Sequence, residues 1–152
     1  MTTPAPDPLQ RFVQAQAGDY AQALAELRAG RKTSHWIWYV LPQLRGLGHS
    51  PRSQHYGLAG RDEARAYAAH ALLGPRLVDC VQAMLAQPTR DAAQILGPVD
   101  ALKFRSCLTL FAAVAPEQPC YAAALQRFYG GEPDAATLRL LQAGDDSAPS
   151  SR

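Results

Sequence analysis

RLVDCVQAML, Arg76 to Leu85, carries Leu77, Val78, Val81, Met84 and Leu85 on one face at helical spacing. No stretch of the chain shows the period of two that a half-buried strand requires. Working outward, the same helical pattern recurs between glycine and proline punctuation. On the N-terminal side Gly74 and Pro75 precede this helix, and a helix runs from Asp62 to His70. On the C-terminal side Pro88 ends it, Thr89 caps a short helix to Leu96, and Gly97-Pro98 restarts the chain. A helix from Val99 to Val114 then turns Leu102, Leu108 and Phe111 toward the core. Pro119 opens the next, with Ala122, Leu125 and Phe128 inward, and Gly130-Gly131 stops it. Asp134 caps a last helix carrying Leu138 and Leu141.

Toward the beginning of the chain, Pro8 suits a first helical turn, and Leu9, Phe12, Val13 and Gln16 form its stripe. Asp19 is read as the cap of a second helix, with Tyr20, Ala23, Leu24 and Leu27 on one face and Gly30 as its stop. Thr33 or Ser34 caps a short aromatic helix, His35 to Leu41, ended by Pro42, although WIWYVL also has the composition of a strand. Pro42 to Gly60 reads as a long loop, and a loop of that length in a compact domain is more often functional than filler. The expected fold is all-α: one domain over residues 8–143, about eight short to medium helices in orthogonal-type packing, with flexible tails at 1–7 and 144–152.

The 152 residues are 47% hydrophobic and 18% charged, the profile of a water-soluble domain, and no run reaches the roughly 18 apolar residues of a membrane span. MTTPAPDPLQ has no basic start followed by an apolar stretch, so a cytoplasmic location and no membrane partner are expected. Cys80, Cys107 and Cys120 form no CxxC pair and read as reduced core thiols, with Cys107, near Lys103 and Arg105, as the one to test for reactivity. His35, His49 and His55 lack an HExxH pattern or a carboxylate-rich neighbourhood, so neither a metal nor another cofactor is expected.

Charge is unevenly placed. Residues 27–61 contain no Asp or Glu but hold Arg28, Arg31, Lys32, Arg45, Arg52 and Arg61, three of the four histidines and both tryptophans. An excess of positive charge beside aromatic faces suits an anionic ligand. A helix starting near Ser34 would offer free N–H groups to such an anion, with Arg31 and Lys32 just before it. Trp36 and Trp38 are two apart and cannot face the same way on a helix, so at most one serves as a stacking platform. Gln43, Arg45, Ser53 and Tyr56 are candidate polar contacts from the loop. The glycines of Gly46-Leu47-Gly48 lack a GxGxxG pattern and more simply permit turns. Asp100 and Lys103 are one turn apart and can pair, and Lys103 and Arg105 would add positive charge to the same pocket. Arginine outnumbers lysine 13 to 2, as GC-rich coding would give, which singles out Lys32 and Lys103.

The strings AGRKTSHWIWYVLPQLRGLGHSPRSQHYGL, DEARAYAAHALLGPRL and DALKFRSCLTLFA resemble the bacterial domain-of-unknown-function family 1810, from about Leu9 to Leu141. That resemblance implies a small, stand-alone, mainly helical domain whose activity is not established. Some members bear the label calpastatin, which a folded, tryptophan-containing helical domain does not suit. More distantly the chain is similar to the NADAR group, associated with ADP-ribose and N-glycosidic bond cleavage. That group has an acidic residue directly before the histidine, where this chain has Ser34, and Asp100 is the candidate replacement.

The leading expectation is therefore a pocket for a phosphorylated or nucleotide-like small molecule, with hydrolysis as an added possibility. Arg31, Lys32, Trp36, Gln43, Arg45, Ser53, Tyr56, Lys103 and Arg105 are its binding residues, and Asp100 or His35 its acid or base. The alternatives are a protein-interaction module, in which Trp36 and Trp38 would be exposed, and a nucleic-acid binder using the same basic patch. A monomer or a small homo-oligomer fits each of these.

Overall fold

Helix α7, Pro98–Val114, is apolar around most of its circumference, with Ala101, Phe104, Cys107, Leu108, Leu110, Phe111 and Val114 buried, so the other helices are built around it. In the computed structural model, which describes residues 7–147, the order is α1 (Gln10–Ala29), α2 (Ile37–Val40), α3 (Pro51–Tyr56), α4 (Arg61–Ala69), α5 (Leu73–Leu85), α6 (Ala92–Leu96), α7, α8 (Cys120–Tyr129) and α9 (Ala135–Ser147). Helices α4, α6, α8 and α9 pack on α7, α5 joins α1, α4 and α8, and α2 lies between α1 and α3. The fold is all-α. Among the described residues the only sheet-like pairing is an isolated bridge between Leu44 and Leu58.

The helix of Arg76 to Leu85 starts earlier than its stripe, at Leu73, with Gly74 and Pro75 in its first turn. Proline is tolerated there because that N–H has no intrahelical partner. Gly74 is required for another reason: a Cβ would sit 2.2 Å from the Ala68 carbonyl oxygen, where α4 turns into α5.

Several expectations are corrected. Asp19 caps nothing: α1 is one helix of 20 residues running through Gly18-Asp19, and Gly18 there meets only open space. Burial of Phe12, Gln16, Ala23, Glu26 and Leu27 along one side outweighs the roughly 1 kcal/mol helix penalty of glycine. Residues 37–40 are helical rather than strand, but neither Thr33 nor Ser34 caps them. The expected long loop contains α3, capped by Ser50, whose side chain accepts from the Ser53 N–H. Asp91 caps α6, and Thr89 instead holds the turn before it by accepting from the Asp91 N–H.

Leu102 is 65% exposed, and Ala122 and Leu138 also face outward, whereas Leu108, Phe111, Leu125, Phe128 and Leu141 are buried as expected. Asp134 does cap α9, accepting from the Thr137 N–H and hydroxyl. Helix α9 takes in Gly144 to Ser147, which composition assigned to a tail. Residues 1–6 and 148–152, the rest of the two expected tails, lie outside the described residues.

Candidate functional site

The basic turn after α1 is organised by the acid just before it. Gly30 takes a left-handed φ of 78° and ends α1, turning the chain back over the helix end. The Glu26 carboxylate, buried at the base of that turn, accepts from the Thr33 N–H at 2.7 Å, the Ser34 N–H at 2.9 Å, the Ser34 hydroxyl at 2.7 Å, the Trp36 indole N–H at 3.0 Å and the Gln22 amide at 2.8 Å. Burial opposes its ionisation. The hydrogen bonds from Ser34, Thr33, Gln22 and Trp36 outweigh that, and hold the carboxyl well below the usual carboxylate range. The N–H groups expected to greet a ligand at Ser34 are thus already bound to an anion from the chain itself.

Trp36 is 1% exposed and serves as core, with its indole committed to Glu26. Lys32 Nζ lies 5.0 Å from the Trp36 ring centroid and 2.8 Å from Asp100 Oδ2. Lys103 Nζ is 3.7 Å from the other oxygen of Asp100 and 5.2 Å from the ring centroid of Trp38. The guanidinium of Arg52 is also over Trp38, at 4.8 Å. Trp38 therefore has two cations on its ring where Trp36 has one, and its Nε1 is buried with no hydrogen-bond partner among the described residues.

Two concavities meet here. A narrow slot is walled by Trp38, Gln43, Ser53, Tyr56 and Lys103, and its ≈ 10 Å³ is room for about one water-sized group. A wider, open cleft of ≈ 390 Å³ is lined by Ala15, Asp19, His35, Tyr39, Arg52 and Tyr56. Tyr56 belongs to both, and Arg52 reaches from the cleft over the indole of the slot. In the cleft the Tyr39 hydroxyl donates to Asp19, and burial together with that bond raises the phenol above its ordinary value, so it stays protonated.

The loop that carries these walls is tied down at its base. Arg45 N–H donates to the Leu58 carbonyl at 2.8 Å and Leu58 N–H to the Gln43 carbonyl at 3.0 Å. Arg11 of α1 donates to the carbonyls of His55 and Gly57, on either side of Tyr56, and forms a paired bond with Glu63 at 2.8 and 3.2 Å. Glycine is needed at position 48 because a Cβ would stand 2.5 Å from Ser53 Oγ, and at position 57 because one would stand 2.6 Å from the Arg45 Cα. Gly46 has a φ of 104°, so its role is the turn.

Of the residues singled out from sequence, Gln43, Ser53, Tyr56 and Lys103 come together in the slot. Asp100 and Lys32 adjoin it through their ion pairs, and His35 lines the neighbouring cleft. Four do not join them. Arg31 is exposed on the turn, and Trp36 is buried beneath it. Arg45 donates to the Gln54 carbonyl and borders a different groove, while Arg105 binds Glu132 on the far side of α7. Arg61, part of the same basic stretch, pairs with Asp145. Sequence reasoning passed over Glu26, Asp19, Tyr39, Arg11 and Arg52 as site residues. An arginine with no acid within a few positions was a signal for Arg52; the others had none.

Cys107 is no candidate nucleophile. It is fully buried, and burial pushes its thiol well above the ordinary value. Burial likewise raises Cys80 to about 12 and Cys120 to about 11.

The sequence profile of a family described as "protein of unknown function" (DUF1810) matches residues 6–141. A solved structure, that of the conserved hypothetical protein Rv1873 from Mycobacterium tuberculosis, is similar, with a TM-score of 0.88 and 46% identity over 91% of this chain and 99% of that one. No protein of curated function matches the sequence.

Proposed function

The chain belongs to the DUF1810 family, and we propose that the slot and cleft around Trp38 bind a small phosphorylated or nucleotide-like molecule. One observation carries the reading: a buried indole N–H without a partner, beneath Lys103 and Arg52. A buried donor left unmade costs about 1–3 kcal/mol, so a site retaining one is suited to a ligand that supplies the acceptor. The charges agree in sign. Glu26 and Asp100 are engaged at the Trp36 side and Asp19 lines the cleft, while Lys103 and Arg52 are the cations over the Trp38 ring, where an anion would meet them.

Binding is better supported than hydrolysis. Asp100 is held between two ammonium groups, which suits it to fixing Lys103 in place more than to taking a proton. The interaction-module reading called for exposed tryptophans, and Trp36 is buried while Trp38 is half-buried. The nucleic-acid reading called for a continuous basic patch, whereas Arg45, Arg61 and Arg105 are engaged in separate places.

The test is thermal shift and calorimetric titration with AMP and inorganic phosphate, on the wild type and on Trp38→Phe, which keeps a smaller aromatic face for the cations and removes the N–H. The wild type melts at higher temperature with AMP present, as mass action requires, and Trp38→Phe binds roughly 10- to 100-fold more weakly, the weight of one desolvated hydrogen bond to a charged group. A wild type whose melting does not move with millimolar AMP, or a Trp38→Phe variant that binds it equally well, would refute the reading.

A further inference from the structure

Resting on that reading, we propose that the ligand's anion is carried on a hydroxylated ring of the pentose phosphate type, with the ring's hydroxyls on Asp19 in the open cleft and the phosphate under Arg52 at the mouth of the slot. The cleft carries both signs of charge. Asp19 is the only carboxylate in its lining; it accepts from Tyr39 and has no cation within ion-pair distance among the described residues. Arg52 is its cation; the guanidinium lies over the Trp38 ring and makes no ion pair or hydrogen bond among the described residues.

A phosphate is repelled by Asp19 and drawn to Arg52, so an anion has one orientation in this space. A carboxylate accepts and does not donate, and the groups that satisfy it without adding charge are hydroxyls. The rings of Tyr39 and Tyr56 in the same lining, with centroids 5.1 Å apart, supply an apolar wall for the C–H face of a sugar, and Tyr56 also lines the slot. The space of ≈ 390 Å³ falls in the range of small-molecule sites, and is more than a free phosphate needs. The slot, walled by Trp38 and Lys103 and with room for about one atom, then takes a single phosphate oxygen.

Calorimetric titration with two probes, inorganic phosphate and ribose 5-phosphate, tests this on the wild type, Asp19→Asn and Arg52→Ala. Wild type is expected to bind ribose 5-phosphate at least tenfold more tightly than phosphate. Asp19→Asn should move the two probes in opposite directions: ribose 5-phosphate weakens about five- to tenfold, while phosphate stays the same or tightens because a negative charge has gone. Arg52→Ala should weaken both. Asp19 is exposed and bonds only Tyr39, so Asp19→Asn is expected to melt within a few degrees of the wild type, and Tyr39→Phe provides a second variant that releases Asp19 without touching its charge. Equal affinity for the two probes, or an Asp19→Asn variant that tightens both, overturns the sugar subsite while leaving the anion site standing. Binding of neither probe, at any concentration up to millimolar, removes both proposals.

Discussion

Replacing Glu26 by Ala should cost about 3–4 kcal/mol, more than most single substitutions. Three donors lose their acceptor in place. The Trp36 indole N–H lies in the core, where an unmade bond costs about 1–3 kcal/mol. The N–H groups of Thr33 and Ser34 are nearer solvent, and water recovers part of each bond, leaving about 0.5–1 kcal/mol apiece. In urea, with a slope of about 2 kcal/mol/M, the midpoint should fall by about 1.5–2 M at pH 7. Ser34→Ala, which removes one bond and leaves the rest, should lose about 1 kcal/mol.

The pH dependence follows from the depressed carboxyl. Glu26 is ionised in both folded and unfolded chains at neutral pH, and its stabilisation is complete there. As pH falls below the ordinary value of 4.5, the unfolded chain takes up a proton that the folded one resists, so the contribution drains away until the folded value is passed. The gap in stability between wild type and Glu26→Gln should therefore hold from pH 7 to about 5 and narrow from pH 4.5 to 3. Urea curves recorded across that range give the answer. A Glu26→Ala variant within 1 kcal/mol of wild type, or a gap that widens toward pH 3, would show that this carboxylate is not the organiser of the turn.

Three further outcomes are expected. Gly74→Ala places a methyl 2.2 Å from a backbone oxygen and should lower the melting temperature by about 6–12 °C, corresponding to about 3 kcal/mol; a change under 2 °C would contradict the close approach of α4 and α5. Thiol labelling at pH 8 should find Cys80, Cys107 and Cys120 unreactive in the native protein and all reactive in denaturant, since each is buried with a raised thiol; rapid native labelling of Cys107 would reopen a catalytic role. Lys32→Arg keeps the charge but puts a planar fork where a nearly buried ammonium fits between Asp100 and the Trp36 ring, and should lose about 1–2 kcal/mol in a denaturation curve, while Arg31→Lys on the exposed turn stays within about 0.5 kcal/mol.

What could be read from the chain depended on how local the cause was. The stripe at Leu77 to Leu85, the stop at Gly30 and the cap at Asp134 are local patterns, and each appears as read. Gly18-Asp19 looked like a boundary because cap residues are shared by turns and helices; burial on the other face of α1 settled the matter, and that is a tertiary effect. Leu102 failed for the opposite reason. It has the apolar side chain and the helical position of a core residue, but α7 has more apolar side chains than neighbours to cover them. Within the site, Gln43, Ser53 and Tyr56 were legible because one loop carries them. Asp19 and Tyr39 were not, because the helix of one and the short helix of the other meet only in the folded chain.

The charge asymmetry that drew attention to residues 27–61 is met in part by acids from outside the stretch. Glu26 closes on the turn, Asp100 arrives from α7 to meet Lys32, and Asp145 arrives from α9 to meet Arg61. A one-dimensional excess therefore says little about the field a ligand meets; what matters is which cations remain after folding has paired the rest. Arg28, Arg31, Arg45 and Arg52 form no ion pair among the described residues, and of these Arg52 stands over Trp38. Arg52 has no ion pair among the described residues, Lys103 shares Asp100 with Lys32 at the longer distance, and both stand over the same indole, whose N–H has no partner there either. That an unpaired cation and an unmade hydrogen bond coincide at Trp38, whereas the indole of Trp36 is already bound to Glu26, is why the slot and cleft, and not the motif that first stands out in the sequence, are the part of this fold to probe with ligands.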